Sequence, residues 1–181
     1  MHPHMNKTSA IRLPKSIESD PRTSQLLGFL ADHSRLLWPG GTVKIPEARL
    51  NDALKEVLLA AYHAGQVVRS LQKADQKLAA EARGQGMADQ KSGVPRGQRI
   101  SRLLILANDG AERFYRQVES LLQRHGLRVM AVRLHADAEH LGGMLYGPGR
   151  AARLLMMEHK AAVGAALLAL ADQWTASQGG A

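Results

Sequence analysis

Residues 100–107, with the sequence ISRLLILA, constrain the fold of this chain more than any other segment. Apolar residues occupy successive positions, so both faces of an extended segment would be apolar. Such a strand is typical of the centre of a sheet that helices cover on both sides. The chain is therefore predicted to form an α/β fold, a three-layer α-β-α sandwich around a small central sheet.

Segments of helical and extended pattern alternate around this strand. Apolar residues at helical spacing begin after Asn51, and Ser70 is suited to cap a second helix that follows a short extended piece at 66–69. The later predicted elements are a helix containing Phe114 and Val118, a strand nearer the edge of the sheet at 127–134, a helix at 138–146, a strand at 151–157 and a closing helix at 160–174. This alternation predicts a layered α/β domain.

The remaining segments lack such periodicity. The predicted divisions are a flexible tail (1–24), a hairpin or extension (25–50), the α/β domain (51–174) with a basic flexible insert rich in glycine (83–99), and a disordered tail (175–181). The hairpin prediction pairs two apolar runs, QLLGFLA and RLLW, around a turn at Asp32-His33-Ser34.

Composition excludes several classes of function. The chain has no cysteine, which rules out disulfides, zinc ribbons and thiol catalysis. Its formal net charge of +8 favours a polyanionic partner, and an aromatic fraction of 4% argues against a sheet that stacks unpaired bases. The longest apolar stretch, Ala161–Ala171, is far below the roughly 20 residues of a membrane span. We therefore expect a cytoplasmic protein with no membrane partner.

Neither a metal site nor a catalytic constellation is predicted. His135 and His140 are five residues apart, a spacing that places them on different sides of a helix, and no histidine–glutamate pair has ligand spacing. Asp109 follows the central strand, where α/β enzymes often keep a catalytic carboxylate, but no companion acid or phosphate-binding loop accompanies it. Helix capping is the favoured role for Asn108 or Asp109.

Four stretches occur in an order that resembles a known RNA-binding family: LLAAYHAGQVV, RSLQKADQKL, LLILANDGAERFYRQVESLLQRHGLRVMAVRL and HLGGMLYG. They look like the kink-turn-binding family of archaeal ribosomal protein L-seven-Ae and its bacterial YlxQ-type relatives. The corresponding motifs are Ala64-Gly65-Gln66-Val67-Val68, Ala107-Asn108-Asp109 and Leu141-Gly142. The segment ahead of them faintly resembles a YlxR domain, without the Gly-Arg-Gly-Ala-Tyr signature of that domain.

The resemblance implies an RNA-binding surface formed by the start of the second helix and the loop after Leu141-Gly142. Its candidate residues, together with two arginines of the insert, are Arg69, Ser70, Gln72, Lys73, Gln76, Lys77, Arg96, Arg99, Gly147, Gly149 and Arg150. In the family the second helix opens Gly-x-Asn-Glu-x-x-Lys, whereas this chain has lysine at the carboxylate position. Lysine only donates hydrogen bonds, so phosphate or shape-directed contact is expected in place of kink-turn reading.

The sequence thus predicts a non-catalytic protein that binds structured RNA, with ribosomal RNA and ribosome or RNA-processing proteins as candidate partners. The resemblance implies no cofactor. Two alternatives remain open. One is an α/β adaptor that binds an acidic partner protein, and the other is an α/β enzyme that uses the Asp109 turn.

Overall fold

A computed structural model describes residues 11–92 and 99–178, with side chains described for 11–88 and 99–174. The helices are α1 (Thr23–Asp32), α2 (Asp52–His63), α3 (Leu71–Ser92), α4 (Glu112–His125), α5 (Ala138–Tyr146) and α6 (Lys160–Gln178). The strands are β1 (Ser34–Leu36), β2 (Lys44–Ala48), β3 (Val67–Arg69), β4 (Arg102–Leu106), β5 (Val129–Leu134) and β6 (Leu154–Met157).

The strands form one mixed sheet in the order β1-β2-β5-β4-β6-β3. β5 pairs in parallel with both β2 and β4, whereas β6 is antiparallel to β4 and to β3. β3 therefore ends at the edge of the sheet where β4 and β5 end and β6 begins. We call this the carboxyl edge, after the carboxyl ends of β4 and β5, and the opposite side the amino edge.

The segment at 100–107 contains the central strand of the sheet. Leu103, Leu104, Ile105 and Leu106 of β4 are fully buried, because helices pack on both faces of the sheet. One hydrophobic cluster joins α1, α2, α5 and α6 to the face that carries Leu103 and Ile105. A second cluster joins α3 and α4 to the face that carries Leu104 and Leu106. The predicted three-layer α/β sandwich is confirmed.

Local capping chemistry begins two of these helices. The Asn51 side-chain oxygen Oδ1 accepts a hydrogen bond from the backbone N–H of Leu54 at 2.8 Å, which caps α2 at the residue after which the sequence predicted helical spacing. Asp137 caps α5 in the same way, through a bond of 2.7 Å from the N–H of His140. These caps fix where the polypeptide leaves the sheet and enters each helix.

The prediction for residues 25–50 was wrong in its pairing. The run QLLGFLA belongs to α1, because Leu26, Phe29 and Leu30 share one buried helical face. The hairpin of this region lies later in the chain, where β1 pairs antiparallel with β2 in the register Ser34↔Pro46. Short apolar runs of this length fit a strand or a buried helix equally well.

The flexible tail predicted for residues 1–24 is also wrong over the described part of that segment. Leu13 and Ile17 are buried in the cluster with α1 and α6, and the backbone oxygen of Arg12 accepts a bond of 2.9 Å from the N–H of Ile100. Leu13 and Ile17 are too widely spaced to show a helical or strand period in the sequence, but both pack in the core. Residues 1–10 lie outside the described part of the chain.

Three further predictions differ from the structure, one in the place of a strand in the sheet and two in the length of a helix. β5 lies inside the sheet, since β2 covers its outer side. The insert predicted at 83–99 begins as helix, because α3 continues to Ser92, and residues 93–98 lie outside the described residues. The disordered tail predicted at 175–181 is likewise helical through Gln178, and residues 179–181 are not described.

In the described ranges, none of the helices combines the length and the apolar character that crossing a membrane requires.

Candidate nucleic-acid interface

The start of α3 and the loop between α5 and β6 meet at the carboxyl edge of the sheet. The backbone N–H of Ser70 donates to the oxygen of Leu154 at 3.1 Å, and Nη2 of Arg69 donates to the oxygen of Ala151 at 2.6 Å. The Arg69 guanidinium also lies over the Tyr146 ring, 4.8 Å from its centroid. These contacts bring together the two segments that the resemblance assigned to RNA binding.

Glycine allows the loop to approach α5 closely. A Cβ atom on Gly142 would lie 1.9 Å from the backbone oxygen of Arg150, so only glycine fits there. Gly147 and Gly149 have φ angles of +96° and +77°, which other residues adopt rarely, and they turn the polypeptide from α5 into β6. The loop is thus held tightly against the helix, with Arg150 exposed at its surface.

Ser70 combines an unusual backbone with a capping side chain. Its φ angle of +94° is the one positive φ of a residue other than glycine in the described part of the chain. Its Oγ accepts a hydrogen bond of 3.3 Å from the N–H of Lys73, as expected for the first residue before a helix. A serine adopts this backbone only with strain, whereas glycine adopts it freely.

Several cations at this junction have no partner of their own. Lys73, Arg150 and Arg153 are exposed, and their side chains form no ion pair or hydrogen bond within the described ranges. Arg153 precedes Leu154, and its backbone oxygen accepts a bond of 2.9 Å from the N–H of Ala107, which fixes it at the carboxyl edge. With Arg69 these three residues form what we call the basic edge.

The two helices that begin near the basic edge differ in charge. Two carboxylates already occupy the N-terminus of α5, since Asp109 Oδ1 accepts from the N–H of Ala138 at 3.0 Å and Asp137 caps the next turn. The first turn of α3 carries no acid. A helix N-terminus attracts anions through its free N–H groups and its dipole, so the start of α3 is the favourable one for a phosphate.

Asp109 caps a helix, but not the one that follows it in the chain. The carboxylate caps α5, 29 residues further along the chain, and not the helix that follows it. α4 begins after Ala111, which supplies no side-chain cap. The contact joins the ends of β4 and β5, because these parallel neighbours finish at the same edge.

Other candidate residues lie in different surroundings. Gln72 and Gln76 are exposed on α3, whereas Lys77 is bound to Glu158 by an ion pair of 2.8 Å. Arg99 lies at the amino edge, where it pairs with Glu18 at 3.1 Å, so the structure does not bring it to the basic edge. Arg96 lies outside the described residues.

Arg153 is the residue that sequence reasoning missed. It is one position before a strand, but its neighbourhood depends on β6 pairing with both β3 and β4. Strand order is not visible in the sequence, and a lone arginine before an apolar run carries no signal by itself. Once β3 and β6 are paired, Arg153 and Arg69 fall at the same end of the sheet.

Comparison with known proteins identifies neither a family nor a function for the chain. No protein-family model matches the chain, and no curated protein matches it significantly. Among solved structures, the chain is similar to a protein with unknown function from Bacillus halodurans C, with 16% sequence identity and a TM-score of 0.44. That similarity covers 67% of this chain and 99% of the other.

Proposed function

We propose that this protein binds structured RNA through the basic edge and the start of α3. The observation that carries the proposal is the double contact of Arg69 with Ala151 and Tyr146, which joins two separate segments whose cations have no partner among the described residues. Phosphate contacts supply most of the affinity of a protein for nucleic acid without base reading. The net charge of +8 supports the same class of partner.

The arrangement suits folded RNA better than unpaired bases. The cations project from a helix start and a tight loop, so they can contact phosphates of a compact backbone. The aromatic rings nearest to them, Tyr146 and Tyr62, are partly buried against each other with their centroids 5.1 Å apart. Rings packed in this way do not form the open stacking platform that single-stranded RNA requires.

A salt titration tests the proposal. The probe is a fluorescein-labelled RNA hairpin with an internal bulge, and a single-stranded RNA of the same length serves as comparison. We expect the triple variant Lys73→Gln/Arg150→Gln/Arg153→Gln to bind the hairpin more weakly. The magnitude of the negative slope of log affinity against log salt should also decrease by about 2 to 3, because each lost phosphate contact removes a little under one unit.

The chain offers a control of equal charge. Arg12, Lys15 and Lys160 lie toward the amino edge and are exposed, so replacing all three by Gln changes the net charge by the same amount. We expect this control to keep most of the wild-type salt slope. If both triple variants lost hairpin affinity and salt slope equally, net charge alone would attract RNA. Absence of hairpin binding by the wild-type protein at low salt would refute the proposal.

A further inference from the structure

The sheet is incomplete between β2 and β5. These parallel strands pair through Glu47↔Arg133 and Ala48↔Leu134. The residue before Glu47 is Pro46, which has no backbone N–H and cannot extend the ladder toward a neighbour. Pairing therefore ends where the proline begins, and the first half of each strand is left without this neighbour.

A buried carboxylate binds the residue before β2 to α4. Oε2 of Glu119 on α4 accepts hydrogen bonds from Nε1 of Trp38 at 3.1 Å and from the N–H of Val43 at 3.4 Å. Glu119 is only 9% exposed, and Arg116 of the same helix lies over the Trp38 ring. The hairpin is thus anchored at its tip on α4 and at its base on β5, with a gap between the anchors.

This gap is a cleft of about 590 Å³. Lys44 and Ile45 line one side of it, Met130 and Ala131 line the other, and Leu127 with 46% of its surface exposed lies at the amino edge. The volume lies within the range of about 300–1,000 Å³ that is typical of binding sites. We call it the β2–β5 cleft.

The polar groups of the cleft come mainly from backbone. Among the described residues that line it, Ser34 already donates its hydroxyl to the oxygen of Leu30, and Thr42 and Lys44 are the polar side chains without a partner in the described part of the chain. The two strand edges that face each other across the cleft carry backbone donors and acceptors. An extended peptide satisfies such groups by pairing with the strand, whereas a small apolar molecule does not.

We propose that the β2–β5 cleft binds an extended segment of a partner protein that alternates apolar and acidic side chains. The segment adds backbone hydrogen bonds along the open strand edge and places its apolar side chains in the cleft. Its acidic side chains approach Lys44, which is the one charged residue among the described residues that line the cleft. This site lies away from the basic edge and does not depend on RNA binding.

A peptide selection identifies such a segment. The probe is a phage-displayed library of random linear peptides, selected on the wild-type chain and counter-selected on a Thr42→Trp variant. Thr42 is exposed, so its replacement should fill the cleft without unfolding the protein, which thermal unfolding checks. We expect the enriched peptides to combine valine, isoleucine or phenylalanine with aspartate or glutamate at alternating positions.

A matched pair of charge reversals then tests the role of Lys44. A synthetic copy of the best peptide should bind Lys44→Glu about tenfold more weakly than the wild type, because an attractive charge contact becomes repulsive. Lys55→Glu changes an exposed lysine on α2 in the same way and should leave the affinity unchanged. In nuclear magnetic resonance spectra, the peptide should shift the backbone N–H signals of Lys44 and Ala131.

Four outcomes would overturn the proposal. The first is that no peptide prefers the wild type over Thr42→Trp, and the second is that both charge reversals weaken binding equally. The third is a dimer of this chain that Thr42→Trp abolishes, which would make a second copy the occupant. The fourth is peptide binding that appears only after deletion of residues 1–10, which would make this chain's own N-terminal segment the occupant.

Discussion

The guanidinium of Arg69 lies over the ring of Tyr146 at the end of the sheet, with 4.8 Å between the Arg69 Cζ atom and the ring centroid. Arg69 ends β3, and Tyr146 ends α5, so the contact joins two elements that are 77 residues apart in the chain. Burial raises the pKa of the Tyr146 hydroxyl, and the nearby Arg69 charge opposes that shift. The pair holds the loop that carries Arg150 against the start of α3.

Removing the Arg69 side chain should therefore affect both stability and binding. We expect Arg69→Ala to lower the free energy of unfolding by about 1–3 kcal/mol, because a charged hydrogen bond and a cation–π contact are lost together. The affinity for the hairpin RNA should fall as well. Tyr146→Phe is the control, since it keeps the aromatic face, and it should retain wild-type affinity. Urea unfolding and fluorescence anisotropy measure the two effects.

Replacing Ser70 by glycine or by alanine should change the free energy of unfolding in different ways. Ser70→Gly also removes the Oγ cap, but it relieves the strain of the φ angle of +94° and should leave the free energy of unfolding equal or higher by up to about 1 kcal/mol. Ser70→Ala keeps the strain and removes the Oγ cap, so it should lower that free energy by about 0.5–2 kcal/mol. Destabilisation by glycine as large as that by alanine would contradict this account.

Two neighbouring glycines of α5 provide a test of the close contact between helix and loop. In Gly142→Ala the new Cβ meets the backbone oxygen of Arg150, and we expect a loss of about 1–3 kcal/mol in the free energy of unfolding and a displaced loop. In Gly143→Ala nothing lies within 4 Å, and the better helix propensity of alanine should raise stability by up to about 1 kcal/mol.

RNA titration of the two glycine variants separates a local effect from a global one. Gly142→Ala should weaken hairpin binding even at a temperature where the variant is fully folded, because Arg150 moves with the loop. Gly143→Ala should bind as the wild type does. Unchanged binding by a folded Gly142→Ala variant would remove the loop from the proposed interface.

The contact between α3 and α4 should make stability depend on pH in the acidic range. Burial by itself would raise the pKa of the Asp75 carboxyl, but hydrogen bonds from His125 and Arg124 outweigh it and lower that pKa. A lowered pKa in the folded state contributes stability above the unfolded-state value of about 3.9, and the contribution is lost as the pH falls through the folded-state value.

Unfolding midpoints measured between about pH 6 and pH 2 test this linkage. Asp75→Asn should be less stable than the wild type near neutral pH, and the difference should shrink at the acidic end of the range. Glu56→Gln, an exposed carboxylate on α2, serves as control and should differ little from the wild type throughout. If the unfolding midpoints of Asp75→Asn and the wild type differed by the same amount at every pH, the charge of the Asp75 carboxylate would not contribute to stability.

The α/β class and most later elements could be predicted from the sequence because their signals are local. The continuous apolar run at 103–107 marks a strand covered on both faces, and Asn51 marks a helix start within one residue. α5 matches its predicted bounds of 138–146, since Asp137 and Gly147 delimit it. In each case the residues that decide the element lie inside it or at its ends.

The N-terminal third could not be predicted because its structure depends on distant contacts. Leu26, Phe29 and Leu30 form a helix face only because α6 covers them, and β2 joins the sheet only because β5 offers it an edge. The residues of the candidate site also differ in whether local sequence signals or distant contacts reveal them. Ser70 and Lys73 could be found by sequence, whereas Arg153 required the strand order.

The packing of residues 11–48 has a consequence for how the chain can be divided. Leu13, Ile17, Leu26, Phe29 and Leu30 form part of the same cluster as Val163, Leu167 and Leu170 of α6. A fragment that starts at Asn51 would keep the basic edge but expose this apolar face of α6 to water. We expect such a fragment to aggregate when expressed alone, so the segment that the sequence assigned to a tail and an extension shields the α/β domain from self-association.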